Sequence, residues 1–228
     1  MKSIFSKLFS LSKMVSPQVT HLETHADTAP SFAERAHAVA IHLGRAIHGL
    51  EVTVTQERPF VFTIRTSGVI QAKIQLLFGD LVADIDNVAV ASHLRRQGLC
   101  RRFTQELYNA IRSIGLRKMT LYAVKDGCVT WAALGFRPTA NAWKLNKAEI
   151  EKSFRAYRHE FPPEVAETIS ELIFADQTDV FPIIANSKIE GDIHLPPVDL
   201  SSKILGEIKG WHGEFDVESE RYRQYLFR

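Results

Sequence analysis

The run Leu81-Val82-Ala83-Asp84-Ile85-Asp86-Asn87-Val88-Ala89-Val90 carries two aspartates among apolar residues, and seven arginines and lysines against one glutamate follow between Ala91 and Lys118. Residues two apart on a strand share a face, so Asp84 and Asp86 point the same way. A carboxylate so placed is a candidate general base. The basic stretch includes Arg95-Arg96-Gln97-Gly98-Leu99-Cys100-Arg101-Arg102, and an amphipathic pattern follows it, which puts a glycine at the start of a helix. The first turn of a helix offers unpaired N–H donors and the positive end of its dipole. Such a turn is suited to a phosphate-bearing anion. The spacing is neither that of the P-loop nor that of the three-glycine dinucleotide fingerprint.

The pattern of Arg95, two spacers, Gly98, one spacer and the small residue Cys100, directly after Val88-Ala89-Val90, resembles motif A of the GNAT acetyltransferase superfamily. Downstream, Trp131-Ala132-Ala133-Leu134-Gly135-Phe136-Arg137-Pro138 resembles the family's motif B, in the right order and at the right separation. The resemblance covers about residues 31 to 146. It implies that the amides of Arg96, Gln97, Gly98, Leu99, Cys100 and Arg101 hold the pyrophosphate of acetyl-coenzyme A, that Val88, Ala89 and Val90 run along the pantetheine arm, and that Trp131 lies at the cofactor. It implies an N-acetyltransferase that moves an acetyl group from acetyl-coenzyme A to a primary amine by direct attack on the thioester, without a metal. Asp84 falls where the histone-acetyltransferase branch keeps its general-base glutamate. Cys100 stands in place of the family's glycine or alanine, and Trp131 in place of a tyrosine that protonates the leaving thiolate in many members. Indole cannot relay a proton. The acid is then Tyr122, Cys128 or water. No histidine stands at a spacing that would make either cysteine a nucleophile.

The elements that must position these residues follow from local pattern. Ser31-Phe32-Ala33-Glu34 has capping-box spacing and opens a helix to about Gly49. Its three histidines, His37, His42 and His48, include no pair four apart, so no helical metal pair forms. Alternation predicts strands over Glu51–Gln56, Pro59–Thr66 and Val69–Phe78, a central strand through Asp84, and another over Arg117–Val124 ending at an Asp126-Gly127 turn. The fold expected is α/β, a GNAT-like mixed and mostly antiparallel sheet flanked by helices.

Three segments are expected: a weakly structured 1–30, an acetyltransferase domain over 31–146, and a mainly helical C-terminal extension over 147–228. Helices are predicted from Asn146 to His159, from Pro163 to about Ala175, and over Leu200–Lys209 and Val217–Leu226, with loops at Pro182, Gly191 and Pro196-Pro197. The aromatic content of the extension suits packing on the core, on a protein partner or in a dimer. Residues 1–145 hold 18 Lys and Arg against 10 acids and residues 146–228 hold 10 against 16. Met1–Met14 reads as a frayed terminus or a basic amphipathic segment, Val19–Thr24 as a first strand, and no apolar run is long enough to span a bilayer. Two cysteines make no disulfide framework, which fits a reducing, cytoplasmic setting.

Two other classes compete: a GNAT fold that binds an acyl-coenzyme A as a sensor or scaffold, and a nucleic-acid-binding module. Against the second, the arginines flank a glycine at a helix start, and the net charge is only +2.

Overall fold

Helix α1 (Phe32–Ala46) begins at the capping box read from the sequence: Ser31 Oγ accepts from the Glu34 amide at 3.3 Å, and Glu34 accepts from the Ser31 amide at 2.7 Å. The Ser31 amide, and after it the Ser31 hydroxyl at 2.9 Å, donate to the Glu34 carboxylate and hold it below the usual carboxylate range. Strands β1 (Leu50–Arg58), β2 (Val61–Gly68), β3 (Ile70–Leu77) and β4 (Val82–Val90) follow as an antiparallel meander. After a single 3-10 turn at Ser92–Leu94, helix α2 (Leu99–Ser113) crosses back to β5 (Lys118–Ala123), which lies parallel to β4. Parallel neighbours require such a crossover. This computed structural model describes residues 29–187 and 200–228. The expectations for 1–28, Val19–Thr24 among them, and for the loops at Gly191 and Pro196-Pro197 lie outside the described residues.

From β5 the chain runs through α3 (Asp126–Ala133), the two-residue β6 (Arg137–Pro138), α4 (Ala140–Tyr157), a 3-10 turn, α5 (Pro163–Phe174), α6 (Val180–Asn186), α7 (Leu200–Leu205), β7 (Trp211–Asp216) and α8 (Glu220–Leu226). The sheet has seven strands in the order β1-β2-β3-β4-β5-β7-β6, mixed but mostly antiparallel and flanked by helices, an arrangement consistent with a GNAT-like fold. Its inward face, with Ile64, Ile74, Leu76, Ala83, Ile85, Met119, Leu121 and Phe215, joins Leu43 of α1 and Phe103 and Leu107 of α2 in one buried cluster. Burial of this apolar surface is the main term favouring the fold.

The 147–228 stretch, read as helical, also supplies a strand. Trp211–Asp216 sits between β5 and β6 and pairs with both, Leu121 opposite Gly213 and Arg137 opposite Glu214. The helices from α4 to α7 are therefore an excursion between two strands of one sheet, and residues 31–228 form one compact unit. Three local readings also change. Pro182, expected in a loop, lies buried in the first turn of α6. Helix α4 is capped by Thr139, whose Oγ1 accepts from the Ala142 amide at 3.3 Å, while Asn146 lies inside the helix and donates to the Ala142 carbonyl. Asp126-Gly127 is the first turn of α3, after Lys125 at φ +51°.

One buried ionic node ties β6 to the helices. Arg137, only 2% exposed, pairs with Asp179, which also pairs with Arg221, and the Arg137 guanidinium lies 3.6 Å from the centre of the Tyr222 ring.

Candidate functional site

Strands β4 and β5 pair over four positions, from Val82 opposite Lys118 to Ile85 opposite Leu121, and then separate. Beyond Ile85, β4 continues against β3 alone as far as Val90 opposite Ile70, while Tyr122 and Ala123 continue against β7. A bulge marks the parting: Lys73 opposes Asn87 and Ile74 opposes Ile85, so Asp86 is the extra residue. Bulges bend a strand and end its pairing locally. Among the described residues, the edge of β4 that faces β5 is thus without a strand partner from Asp86 to Val90, about 17 Å at the rise of a strand.

That open edge leads to the loop before α2. Gly98 is the N-cap, at φ +75° and ψ 2°, a conformation glycine adopts without Cβ strain. Arg96 stands at φ +64°. A Cβ added at Gly98 would meet nothing within 4 Å, so the outer side of the turn is open. The backbone N–H groups of Arg96, Gln97, Gly98, Leu99, Cys100 and Arg101 have no hydrogen-bond partner among the described residues; the first helical bond runs from Arg102 N to Gly98 O at 3.0 Å. Six successive free donors at a helix start form a site for an anion.

The side chains around the loop are largely committed to the protein. Arg95 donates to the Val90 carbonyl at 3.3 Å, Gln97 to His93, and Arg102 to the Ala46 carbonyl at 2.7 Å. Arg101 donates to the Tyr225 and Leu226 carbonyls at 2.6 and 3.1 Å, and Gln105 donates to Leu226 as well. Burial, then the nearby Arg228, lowers the Arg101 guanidinium pKa from the usual arginine range. Arg117 pairs with Glu218, and Lys118 with Glu214. The basic stretch is therefore no continuous basic face, and only main-chain donors are left for a ligand at Arg101.

On the solvent side of the sheet, Gln75, Asp84, Thr120 and Glu214 stand in one row across four strands. Thr120 Oγ1 donates to Asp84 Oδ1 at 2.6 Å, and Lys73 Nζ donates to Asp86 Oδ2 at 2.7 Å. Tyr122, 52% exposed, follows Thr120 on the same face, just past the last β4–β5 pair. Opposite it on β7 is His212, with ring centroids 4.6 Å apart. His212 escaped the sequence reading because β7 did; its one signal was the alternation of Trp211, Gly213 and Phe215.

Two of the expected residues are buried. Trp131 is 8% exposed and packs edge-on against Phe136 at 5.2 Å as part of the core. Cys128 is fully buried, its thiol directed at the Ala123 and Ile208 carbonyls, and burial raises its pKa. It cannot reach a substrate as an acid. Burial pushes the Cys100 thiol up to about 11 from 9.0, so it stays protonated at neutral pH. Alkylation of Cys100 by iodoacetamide at neutral pH is expected to run about a hundredfold slower than that of an ordinary thiol. A rate equal to free cysteine, followed by mass spectrometry, contradicts that environment.

A groove of about 500 Å³ between α1 and β1, lined in part by His37, Ile41 and Val54, lies three strands away from β4 and takes no part in this site.

No family model matches the chain, and no curated protein matches it. Among solved structures it is similar to a tandem GNAT protein from the clavulanic acid biosynthesis pathway, solved without AcCoA, at 18% identity and a TM-score of 0.29. The match spans 49% of this chain and 36% of that one. Overlap at this level adds no weight to the site.

Proposed function

We propose that the chain is a GNAT-type N-acetyltransferase that takes acetyl-coenzyme A as co-substrate and acetylates a primary amine. The observation that carries this is the run of six free amides from Arg96 to Arg101 at the mouth of an unpaired strand edge. A diphosphate suits the amides. An extended pantetheine arm, with its own amide donors and acceptors, suits the edge at Val88, Ala89 and Val90 and would bring a thioester to the parting at Asp86.

Asp84 serves as base. Its Oδ1 is fixed by Thr120, which leaves Oδ2 to take a proton from the attacking ammonium, directly or through a water. Asp86, bound to Lys73, shapes the acceptor side. The amine nitrogen then attacks the thioester carbonyl; the C–S bond breaks with its electron pair on sulfur, the second N–H proton passes to solvent and the thiolate takes a proton from water, and much of the rate comes from holding the two reactants together. Asp84→Asn should lower the rate at neutral pH by about a hundredfold and by much less at high pH, where the amine is already neutral. Equal losses at both pH values in steady-state assays would remove Asp84 from this role.

The indole of Trp131, which cannot relay a proton, favours a second reading, a fold that binds acyl-coenzyme A without turning it over, since the stretch that resembles motif B then supplies no acid. Tight acetyl-coenzyme A binding with no acetylated product in cell extract, followed by mass spectrometry, would support it. The tied arginines speak against a nucleic-acid module, whose binding would fall steeply with salt. The acceptor is proposed to be cationic, or the partner a protein, because residues 146–228 carry 16 acids against 10 Lys and Arg. The free Cys100 and Cys128 fit a cytoplasmic location. Among the described residues no helix is long and apolar enough to cross a membrane.

A further inference from the structure

Lys73 brings a primary amine of the chain itself to the parting of β4 from β5. It lies on β3, two residues from Gln75, and so shares the sheet face of Gln75 and Asp84. Its register partner on β4 is Asn87, but its Nζ donates to Oδ2 of Asp86, the extra residue of the bulge, at 2.7 Å. Asp86 is also the first β4 residue past the last β4–β5 pair. The ammonium of Lys73 is therefore bound to a carboxylate at the residue where the two strands separate. Neighbouring strands lie about 4.8 Å apart, so a side chain rooted on β3 has only β4 to cross to reach that open edge. The other ion-paired lysines among the described residues stand elsewhere. Lys118 shares this face but lies opposite Val82, at the far end of the β4–β5 pairing, where Glu214 holds it. Lys147, Lys152 and Lys203 belong to the helices.

We propose that Lys73 is an internal acceptor, acetylated by the acetyl-coenzyme A bound to the same chain. The inference rests on the acetyltransferase reading, which brings the thioester to Asp86. The Lys73 ammonium gives the proton it shares with Asp86 to Oδ2, and the freed electron pair on nitrogen attacks the thioester carbonyl carbon. The C–S bond breaks with its electron pair on sulfur, a second proton leaves the nitrogen for solvent, and the thiolate takes a proton from water. The products are Nε-acetyl-Lys73 and coenzyme A. Acetylation removes the lysine charge, so the ion pair is lost and the Asp86 carboxylate is left for the ammonium of a separate acceptor.

Incubation of the full chain with acetyl-coenzyme A that carries a deuterated acetyl group tests this without an external amine. Peptide mapping by mass spectrometry follows the label, and calorimetry measures acetyl-coenzyme A binding in parallel. The label should enter Lys73 at least about a hundredfold faster than the exposed Lys152 of α4, because the two reactants are held together. At saturating acetyl-coenzyme A the half-time should stay the same when the protein is diluted, as a reaction within one chain requires. Asp86→Asn, which keeps the shape of the side chain, should slow labelling of Lys73 by at least about tenfold. Labelling of Lys73 no faster than that of Lys152, or a rate that rises with protein concentration, overturns the internal acceptor; acetyl-coenzyme A that still binds leaves the acetyltransferase reading standing. Equal labelling of Lys73 in Asp86→Asn overturns the role of Asp86. Failure of acetyl-coenzyme A to bind the unaltered protein overturns the acetyltransferase reading itself.

Discussion

Gly98→Asp should abolish acetyl-coenzyme A binding, with at least about a hundredfold loss of affinity in calorimetry, a change of about 2.7 kcal/mol. The new carboxylate would stand beside the six amides proposed to hold the diphosphate. Two like charges about 4 Å apart at a protein surface repel by a few kcal/mol, and the diphosphate brings more than one. The turn itself should survive. Aspartate tolerates the left-handed region at φ +75° better than most residues, and its Cβ meets nothing within 4 Å. Circular dichroism and the melting temperature should therefore stay near those of the unaltered protein. Gly98→Ala, which adds a methyl and no charge, should lose far less affinity. Equal binding by Gly98→Asp and the unaltered protein would remove the loop from the site.

Asp179→Ala should lower stability by about 3–5 kcal/mol, a large part of the total for a typical domain. Asp179 is shared by Arg137 and Arg221, and its removal leaves the Arg137 guanidinium buried at 2% exposure without a counter-charge. The Tyr222 ring beside it offsets only part of that cost. A second change, Arg137→Met, should restore much of the loss, because it removes the stranded charge and keeps the volume. Urea unfolding followed by fluorescence reads both variants. A loss below about 1 kcal/mol for Asp179→Ala would mean that the node does not hold β6 to α6 and α8. The same node bears on the site from a distance: α8 carries Arg221 at one end and offers the Tyr225 and Leu226 carbonyls to Arg101 of α2 at the other.

What could be read from the sequence was what is decided locally. Capping at Ser31 and Glu34, the alternation of β1 to β5, and a glycine between an apolar run and an amphipathic helix all depend on residues a few positions apart, and the structure has these elements. Strand β7 depends on partners far away in the chain. Gly213 falls on the buried side of its alternation but has no apolar side chain, because the Trp211 ring folds over it, and the stretch therefore reads as loop before helix. The orientation of Trp131 was equally hidden. Sequence spacing gives its position, but Phe136 and the packing of α3 turn the indole inward. The same limit applies to the basic stretch: counting charges shows an attraction for anions, whereas only the fold shows Arg101 and Arg102 spent on carbonyls of α8 and α1. The parting of β4 from β5 and the bulge at Asp86 are products of strand register, which composition does not reveal.

The most direct measurement is a titration of the ¹⁵N-labelled protein with acetyl-coenzyme A, observing the backbone amides of residues 96 to 101. Formation of hydrogen bonds to a diphosphate should move several of these signals downfield together, Gly98 among the largest, with smaller changes along Val88 to Val90. Saturating ligand that leaves all six amides in place, or that moves only signals elsewhere in the chain, would contradict the proposed function.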